Sequence, residues 1–339
     1  MAKSSITIND IARELKVAPS TVSRALNNSN KISNTTKRKI IEKAEELGYN
    51  LNMVAASLSR SQTNTIGVVI PYLHNYFYSQ VVNGIEEFAY SKGYRILIAQ
   101  TRDSFAKETE ILRTMSSTRV DGVIACLSTA TQSTEHLLKL TKNNIPLVLF
   151  DRVSFDFPCQ KVTIDNYNAM QQSVTHLARS GYQSIAHLGG PTTCNIYTEH
   201  SNAFRDTLKK ENLSLIPQFH LSSDLTEEDI SEAMKIWFSL KTKPDAIITA
   251  NSTAGLLVSK LAKELKLSIP DDLALISLTS EPALHFVDPQ ITSIELPGSE
   301  MGKTSMEFLF NEIKNGKQNE NTSIKPFQLI IRNSSFKNN

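Results

Sequence analysis

The sequence predicts a small all-α head followed by an α/β body of two lobes, each built on a doubly wound parallel sheet. Three observations carry that reading. The first 62 residues hold ten Lys and Arg against five Asp and Glu, whereas the remainder holds 26 against 29, so a basic head precedes a mildly acidic body. Apolar residues within the first 48 positions recur at helical spacing. From Thr65 onward, short Val/Ile/Leu runs alternate with amphipathic stretches, the pattern of strands buried on both faces between helices.

A chain of 339 residues, 40% hydrophobic and 21% charged, has the length for two or three domains and the composition of a soluble globular protein. The opening "MAKSSITINDIA" lacks the apolar core of a signal peptide, and no run is long enough to span a bilayer. Cys126, Cys159 and Cys194 are scattered and odd in number, which argues against a disulfide framework and against a zinc site. The expectation is a reduced, cytoplasmic protein without a membrane partner.

The head reads as three helices in order. Thr7 with Asp10 makes a capping-box pattern before Ile8, Ile11, Ala12 and Leu15 at helical spacing. After a turn at Lys16–Ala18, Pro19 suits the first turn of a second helix, which carries "STVSRALNN". A third starts near Ser33 and runs through Ile40, Ile41, Ala44 and Leu47 to Gly48, a C-cap residue. The second helix buries a narrow stripe, Val22, Ala25 and Leu26, and presents Ser20, Thr21, Ser23, Arg24, Asn27 and Asn28. Short polar side chains let a helix backbone sit close in a major groove, as the second helix of a helix-turn-helix unit does. Arg24 has the reach and the fork for guanine O6 and N7. Thr7, Thr21, Ser23 and Asn27 are placed for phosphate or mixed contacts. The competing reading, a helical bundle that binds protein, explains neither the positive charge nor the polar face.

With those residues in view, "TINDIARELKVAPSTVSRALNN" and "KISNTTKRKIIEKAEELGYNLNMVAASL" resemble the head and hinge of the lactose/purine repressor (LacI) family. The similarity continues through "TIGVVIPYLHNYFYSQVVNGIE", "RVDGVIA", "IPLVLFDR", "HLARSGYQSIAHLGGP", "PDAIITAN" and "DPQITSIELPGSEMG", an order far more specific than any one segment. It implies a helix-turn-helix domain over 1–50, a hinge helix over 51–62, and a periplasmic-binding-protein-like effector and dimerisation domain over 63–339. By the same resemblance Pro19, Ser20 and Arg24 occupy base-reading positions. Ala55 and Leu58, in "NMVAASLS", press into the minor groove, with Leu58 as the wedge between base steps. So short a helix is marginal alone in water, which suits a hinge ordered on DNA. The chain departs from the family pattern at Leu51 (usually proline), Lys16 (glycine) and Ala18 (an N-cap serine).

In the body, "TIGVVIP", "RILIAQT", "DGVIAC", "PLVLFD", "SIAHLGG", "AIITAN" and "LALISLTS" are expected strands, more than one lobe needs. Ligands of such folds bind beyond the carboxyl ends of strands, here in a cleft between lobes. The family arrangement implies three crossings, near residues 161, 291 and 323. No dinucleotide fingerprint or phosphate loop is present, the seven histidines lack metal-ligand spacing, and nothing singles out a catalytic triad. An enzyme would need such a set, and a periplasmic binding protein an export signal without a basic head. No cofactor or metal is expected. His187, inside a strand run, reads as core, and Asp151–Arg152 as a candidate ion pair. The resemblance places Tyr76, Phe77, Asp151, His200, Leu225, Asn251 and Thr279 at the cleft. Many relatives carry Arg at the position of His200 and Asp at that of Thr279, a pair that grips neighbouring hydroxyls. Its replacement by neutral groups makes a sugar acid or sugar phosphate an alternative to a neutral carbohydrate effector. The resemblance implies a repressor of carbohydrate-metabolism genes, a homodimer on a near-palindromic double-stranded operator, and no enzyme.

Overall fold

Two six-stranded sheets organise the body in a computed structural model that describes residues 6–26, 29–49 and 62–336. The chain divides into two compact units, Met1–Thr63 and Asn64–Asn339. In the first, helices α1 (Ile8–Glu14), α2 (Pro19–Leu26) and α3 (Asn34–Glu46) surround Ile11, Ala12, Val22, Ala25, Ile40 and Ala44. The Thr7 N–H donates to Asp10 Oδ2 at 2.9 Å, so the capping box forms as the sequence predicts. Ser33 Oγ accepts from the Thr36 N–H and starts α3, and Gly48 follows it with φ +67°. Lys16 adopts φ +51° in the turn, a conformation that suits glycine better than lysine.

The first lobe carries β1 (Thr65–Ile70), β2 (Arg95–Gln100), β3 (Gly122–Ala125), β4 (Leu147–Phe150) and β5 (Gln160–Ile164). Helices α4 (Tyr76–Ser91), α5 (Phe105–Ser117) and α6 (Leu138–Lys142) connect them. The second lobe carries β6 (Ile185–Gly189), β7 (His220–Ser222), β8 (Ala246–Thr249), β9 (Ala274–Ser277) and β10 (Thr292–Glu295). Here the helices are α7 (Asn166–Arg179), α8 (Asn195–Lys210), α9 (Glu227–Ser239), α10 (Ser252–Glu264) and the short α11 (Ala283–Phe286). Helix α12 (Gly298–Asn315) returns to the first lobe, where β11 (Thr322–Lys325) closes the order β11-β5-β4-β3-β1-β2. Strand β12 (Gln328–Ile330) completes the other sheet, β12-β10-β9-β8-β6-β7.

Every pairing is parallel except β10 with β12, so the second sheet is mixed at one edge. The runs that form β1, β3, β4, β6, β8 and β9 are buried as expected, with Val68 opposite Ile98 on one side and Ile124 on the other. Strand β2, expected to be buried on both faces, is instead an edge strand left half-exposed, with Leu97 facing outward. The chain leaves the first sheet after Ile164, returns after Glu295 and leaves again after Lys325. Each crossing falls two to four residues beyond the sequence expectation, because β5, β10 and β11 run to their ends first.

Helices α4 and α12 meet backbone to backbone. A Cβ on Gly84 would collide with the Ser299 carbonyl, and one on Gly302 with the Val81 carbonyl. That approach seats α12 against β3, β4 and β5, just after its chain has crossed from the second lobe.

Candidate functional site

On the head, α2 keeps Val22 and Ala25 buried and exposes Pro19, Ser20 and Arg24, with Thr21 and Ser23 half-buried. Arg24 makes no side-chain hydrogen bond or ion pair among the described residues. Thr7 is already engaged: its hydroxyl donates to Asp10 Oδ2 at 2.7 Å. Asn27, Ala55 and Leu58 lie outside the described residues.

In the body, a cavity of about 750 Å³ opens between the carboxyl ends of the two sheets. Tyr72 follows β1, Arg102 and Asp103 follow β2, and Asp151 and Arg152 follow β4. From the facing lobe come Gly190 after β6, Asp224 and Leu225 after β7, Asn251 after β8 and Thr279 after β9. Of the seven expected residues, Phe77, Asp151, Leu225, Asn251 and Thr279 meet here. Tyr76 does not; the first residue of α4, it lines a separate pocket of about 440 Å³ beside Phe286 and Pro297.

His200 also lies away from the wall. It sits more than one turn into α8, beneath Tyr197, with ring centroids 6.3 Å apart. Tyr197 lines the cavity in its stead, and only a glycine at 190 leaves room for that ring. Burial holds the His200 imidazole neutral, with its pKa lowered to about 4. His187 is wholly buried against Phe204 and His220, core as expected, and burial likewise pushes its pKa far down.

Asp151 and Arg152 do not pair with each other in a salt bridge, because successive side chains leave the backbone in different directions. Asp151 Oδ2 accepts from the Tyr78 hydroxyl at 3.0 Å and from the Cys126 thiol at 3.7 Å. Burial pushes its carboxyl above the usual range, against the pull of Arg152 and of those hydrogen bonds. Arg152 Nη1 instead donates to Asp103 Oδ1. Burial disfavours the Arg152 charge, but Tyr78, Tyr197, Cys126 and Asp103 favour it, and the net shift is upward. Asn251, which lines the cavity, caps α10 through Oδ1 by accepting from the Ala254 N–H at 2.8 Å, and its amide nitrogen has no hydrogen-bond partner among the described residues. Thr279 Oγ1 accepts from the Ser252 N–H at 2.9 Å.

Backbone strain gathers at the same place. Arg102, Asp103, Asp151 and Leu225 have φ between +53° and +59°, four of the ten non-glycine residues with positive φ among those described. Such conformations persist where the surroundings over-determine them, and they cluster at functional sites. Two hydrogen bonds join the lobes beside the cavity: Thr193 Oγ1 to the Thr129 carbonyl at 3.0 Å, and the Val153 N–H to Asn195 Oδ1 at 3.1 Å. The sequence reading missed Tyr72, Arg102, Asp103, Arg152, Tyr197 and Asp224. The available signal was positional, since most are among the first polar residues after a parallel strand.

Comparisons with known proteins agree with this arrangement. Residues 7–52 match the model described as bacterial regulatory proteins, lacI family. Residues 63–333 match the model of periplasmic binding proteins and the sugar binding domain of the LacI family. Catabolite control protein A of Priestia megaterium is 31% identical over 305 residues, covering 90% of this chain and 91% of its own. The HTH-type transcriptional repressor PurR of Photobacterium profundum is 25% identical, covering 97% and 98%. The Lac repressor dimer bound to operator and the anti-inducer ONPF superposes with a TM-score of 0.86 at 21% identity, covering 98% of this chain and 100% of that one. The CelR–cellobiose complex gives 0.73 at 22% identity, covering 97% and 99%.

Proposed function

The chain belongs to the lacI family of bacterial regulatory proteins, and on that premise we propose that it represses carbohydrate-metabolism genes under control of a small carbohydrate held between its lobes. It acts as a cytoplasmic homodimer on a near-palindromic double-stranded operator and carries out no catalysis. In this reading residues 1–50 read DNA, 51–62 form the hinge and 63–339 bind effector and partner subunit. Pro19, Ser20 and Arg24 contact base edges, Thr21, Ser23 and Asn27 contact the backbone, and Ala55 and Leu58 enter the minor groove. Thr7 joins the backbone contacts only if Asp10 releases its hydroxyl.

One observation carries the effector reading: a cavity with a strained wall that sets carboxylates, an amide and aromatic faces at the ends of buried strands. Phe77, Asp151, Leu225, Asn251 and Thr279 form its binding set. Its charged wall holds Arg102 and Arg152 against Asp103, Asp151 and Asp224, a balance that favours a neutral polyhydroxylated ligand over an anion. The second reading, a sugar acid or sugar phosphate, is supported by Arg102, which lines the cavity and whose guanidinium has no hydrogen-bond partner among the described residues.

Calorimetry against matched neutral, uronic and phosphorylated sugars separates the two readings. Asp151→Asn and Asn251→Ala should weaken whichever sugar binds and leave operator binding without effector unchanged. Unchanged sugar affinity in both variants would remove the cavity as the effector site. Footprinting with and without the bound sugar tests the regulatory role, and a footprint insensitive to it would overturn that role.

A further inference from the structure

We propose that Arg152 and Asp103 form a polar clamp that selects an effector with two adjacent hydroxyls, gripping it from the first lobe. The proposal rests on the cavity being the effector site, and it concerns a pair that the family resemblance did not single out.

The arginine is the unusual feature. The residue lines the cavity yet its side chain is only 10% exposed, and Nη1 is committed to Asp103. Nε is buried without a hydrogen-bond partner among the described residues. Native interiors seldom leave a buried donor unmatched, least of all on a charged group. Asp103 has the complementary surplus. Its bonds from Arg152 and from the Thr129 N–H at 3.2 Å both fall on Oδ1, so Oδ2 remains as an acceptor. Left-handed backbone at both Arg102 and Asp103 brings that carboxylate to the arginine.

A guanidinium has five donors and no acceptor, and a carboxylate accepts only. Nε is too deeply buried for a ligand to reach, but Nη2 also has no hydrogen-bond partner among the described residues and is not buried, so it sets a donor beside the Asp103 acceptor. One hydroxyl can accept from Arg152 while its neighbour donates to Asp103 Oδ2, both through charge-assisted bonds. The next residue, Val153, donates to Asn195 of the second lobe, so the clamp lies where the lobes meet. His200 and Thr279, where many relatives carry an Arg and an Asp, do not offer such a pair. His200 is buried, and the Thr279 oxygen already accepts from Ser252.

The test uses the full-length protein, calorimetry, and D-glucose, D-galactose, D-xylose and cellobiose, each with its monodeoxy analogues. Wild type should bind one of these sugars roughly 10- to 100-fold more tightly than the analogue lacking either clamped hydroxyl. In Arg152→Gln the parent sugar should weaken by a similar factor, and discrimination against those analogues should collapse toward unity. Discrimination at other hydroxyls should be retained. Asp103→Asn, isosteric and less disruptive, should lose one of the two preferences and carries the test if Arg152→Gln does not fold. Retained discrimination in the variants would overturn the clamp, as would equal weakening of the parent and every analogue, the signature of a loop tie only. In either case sensitivity to Asp151→Asn would leave the effector site standing. Binding of none of the sugars by wild type would overturn the carbohydrate reading and the clamp together.

Discussion

Arg24 is exposed on a helix whose other described outward side chains are short, so its guanidinium reaches furthest from the helix and is the group proposed to read a base edge. Arg24→Ala should cost about 1–3 kcal/mol on the preferred operator and relax preference at one base pair, whereas Lys37→Ala should weaken all sequences about equally. Binding across a set of single-base operator variants checks both, and equal discrimination by Arg24→Ala would remove it as a base reader. At the same scale the buried histidines make a pH prediction. His200 has a folded pKa near 4, below the ordinary 6.5, because burial penalises its charge. Between those values the unfolded chain binds the proton and the folded one does not, so the stability is present above pH 6.5 and is lost as pH falls toward 4. The loss is at most about 3 kcal/mol for this residue. His187 and His220, also lowered by burial, add in the same direction. Urea unfolding between pH 7 and 4.5 should show this slope and a shallower one in His200→Leu; identical slopes would place the titration elsewhere.

Two elements carry local costs that substitutions should relieve or expose. Helix α2 begins after Ala18, whose carbonyl accepts from Thr21 and Val22 but whose side chain cannot cap. The turn before it holds Lys16 in left-handed backbone. Ala18→Ser and Lys16→Gly should each stabilise the head by about 1 kcal/mol, read as slower amide exchange across α2. No change in exchange would mean that the head opens elsewhere first. The crossing of α4 on α12 is the opposite case. With Gly84 and Gly302 against facing carbonyls, Gly84→Ala should force the helices apart and lower unfolding stability by about 1–3 kcal/mol. A neutral effect in urea unfolding would show that the helix pair has slack that the packing does not suggest.

For the whole molecule, the two cross-lobe hydrogen bonds are the connections that opening the cavity has to break. Thr193→Ala combined with Asn195→Ala removes both. Two net bonds of about 1 kcal/mol each should weaken an effector held by both lobes roughly 30-fold, with a larger radius of gyration in solution scattering. An unchanged radius and affinity would mean that the closed arrangement holds without these bonds.

Much of this was legible in the sequence because it depends on local pattern. The three head helices follow from Thr7, Pro19, Ser33 and Gly48 as start and stop signals, and the buried strands from uninterrupted apolar runs. Short or half-exposed strands such as β7, β11 and β12 lack that pattern. Residues at strand ends could be nominated for the cleft, but their partners could not. Asp103 and Arg152 are 49 positions apart and meet only because β2 and β4 end on the same side of one sheet. His200 shows the converse: its sequence position points to the cleft, yet Tyr197, one turn nearer the start of α8, takes the wall and leaves the histidine beneath it. The sequence by itself determined the head helices, most of the buried strands, the family and the basic head, since these rest on periodicity and order along the chain. Only the tertiary structure decided which polar groups share a cavity and which of their bonding sites remain open, because that depends on distances between residues far apart in the chain.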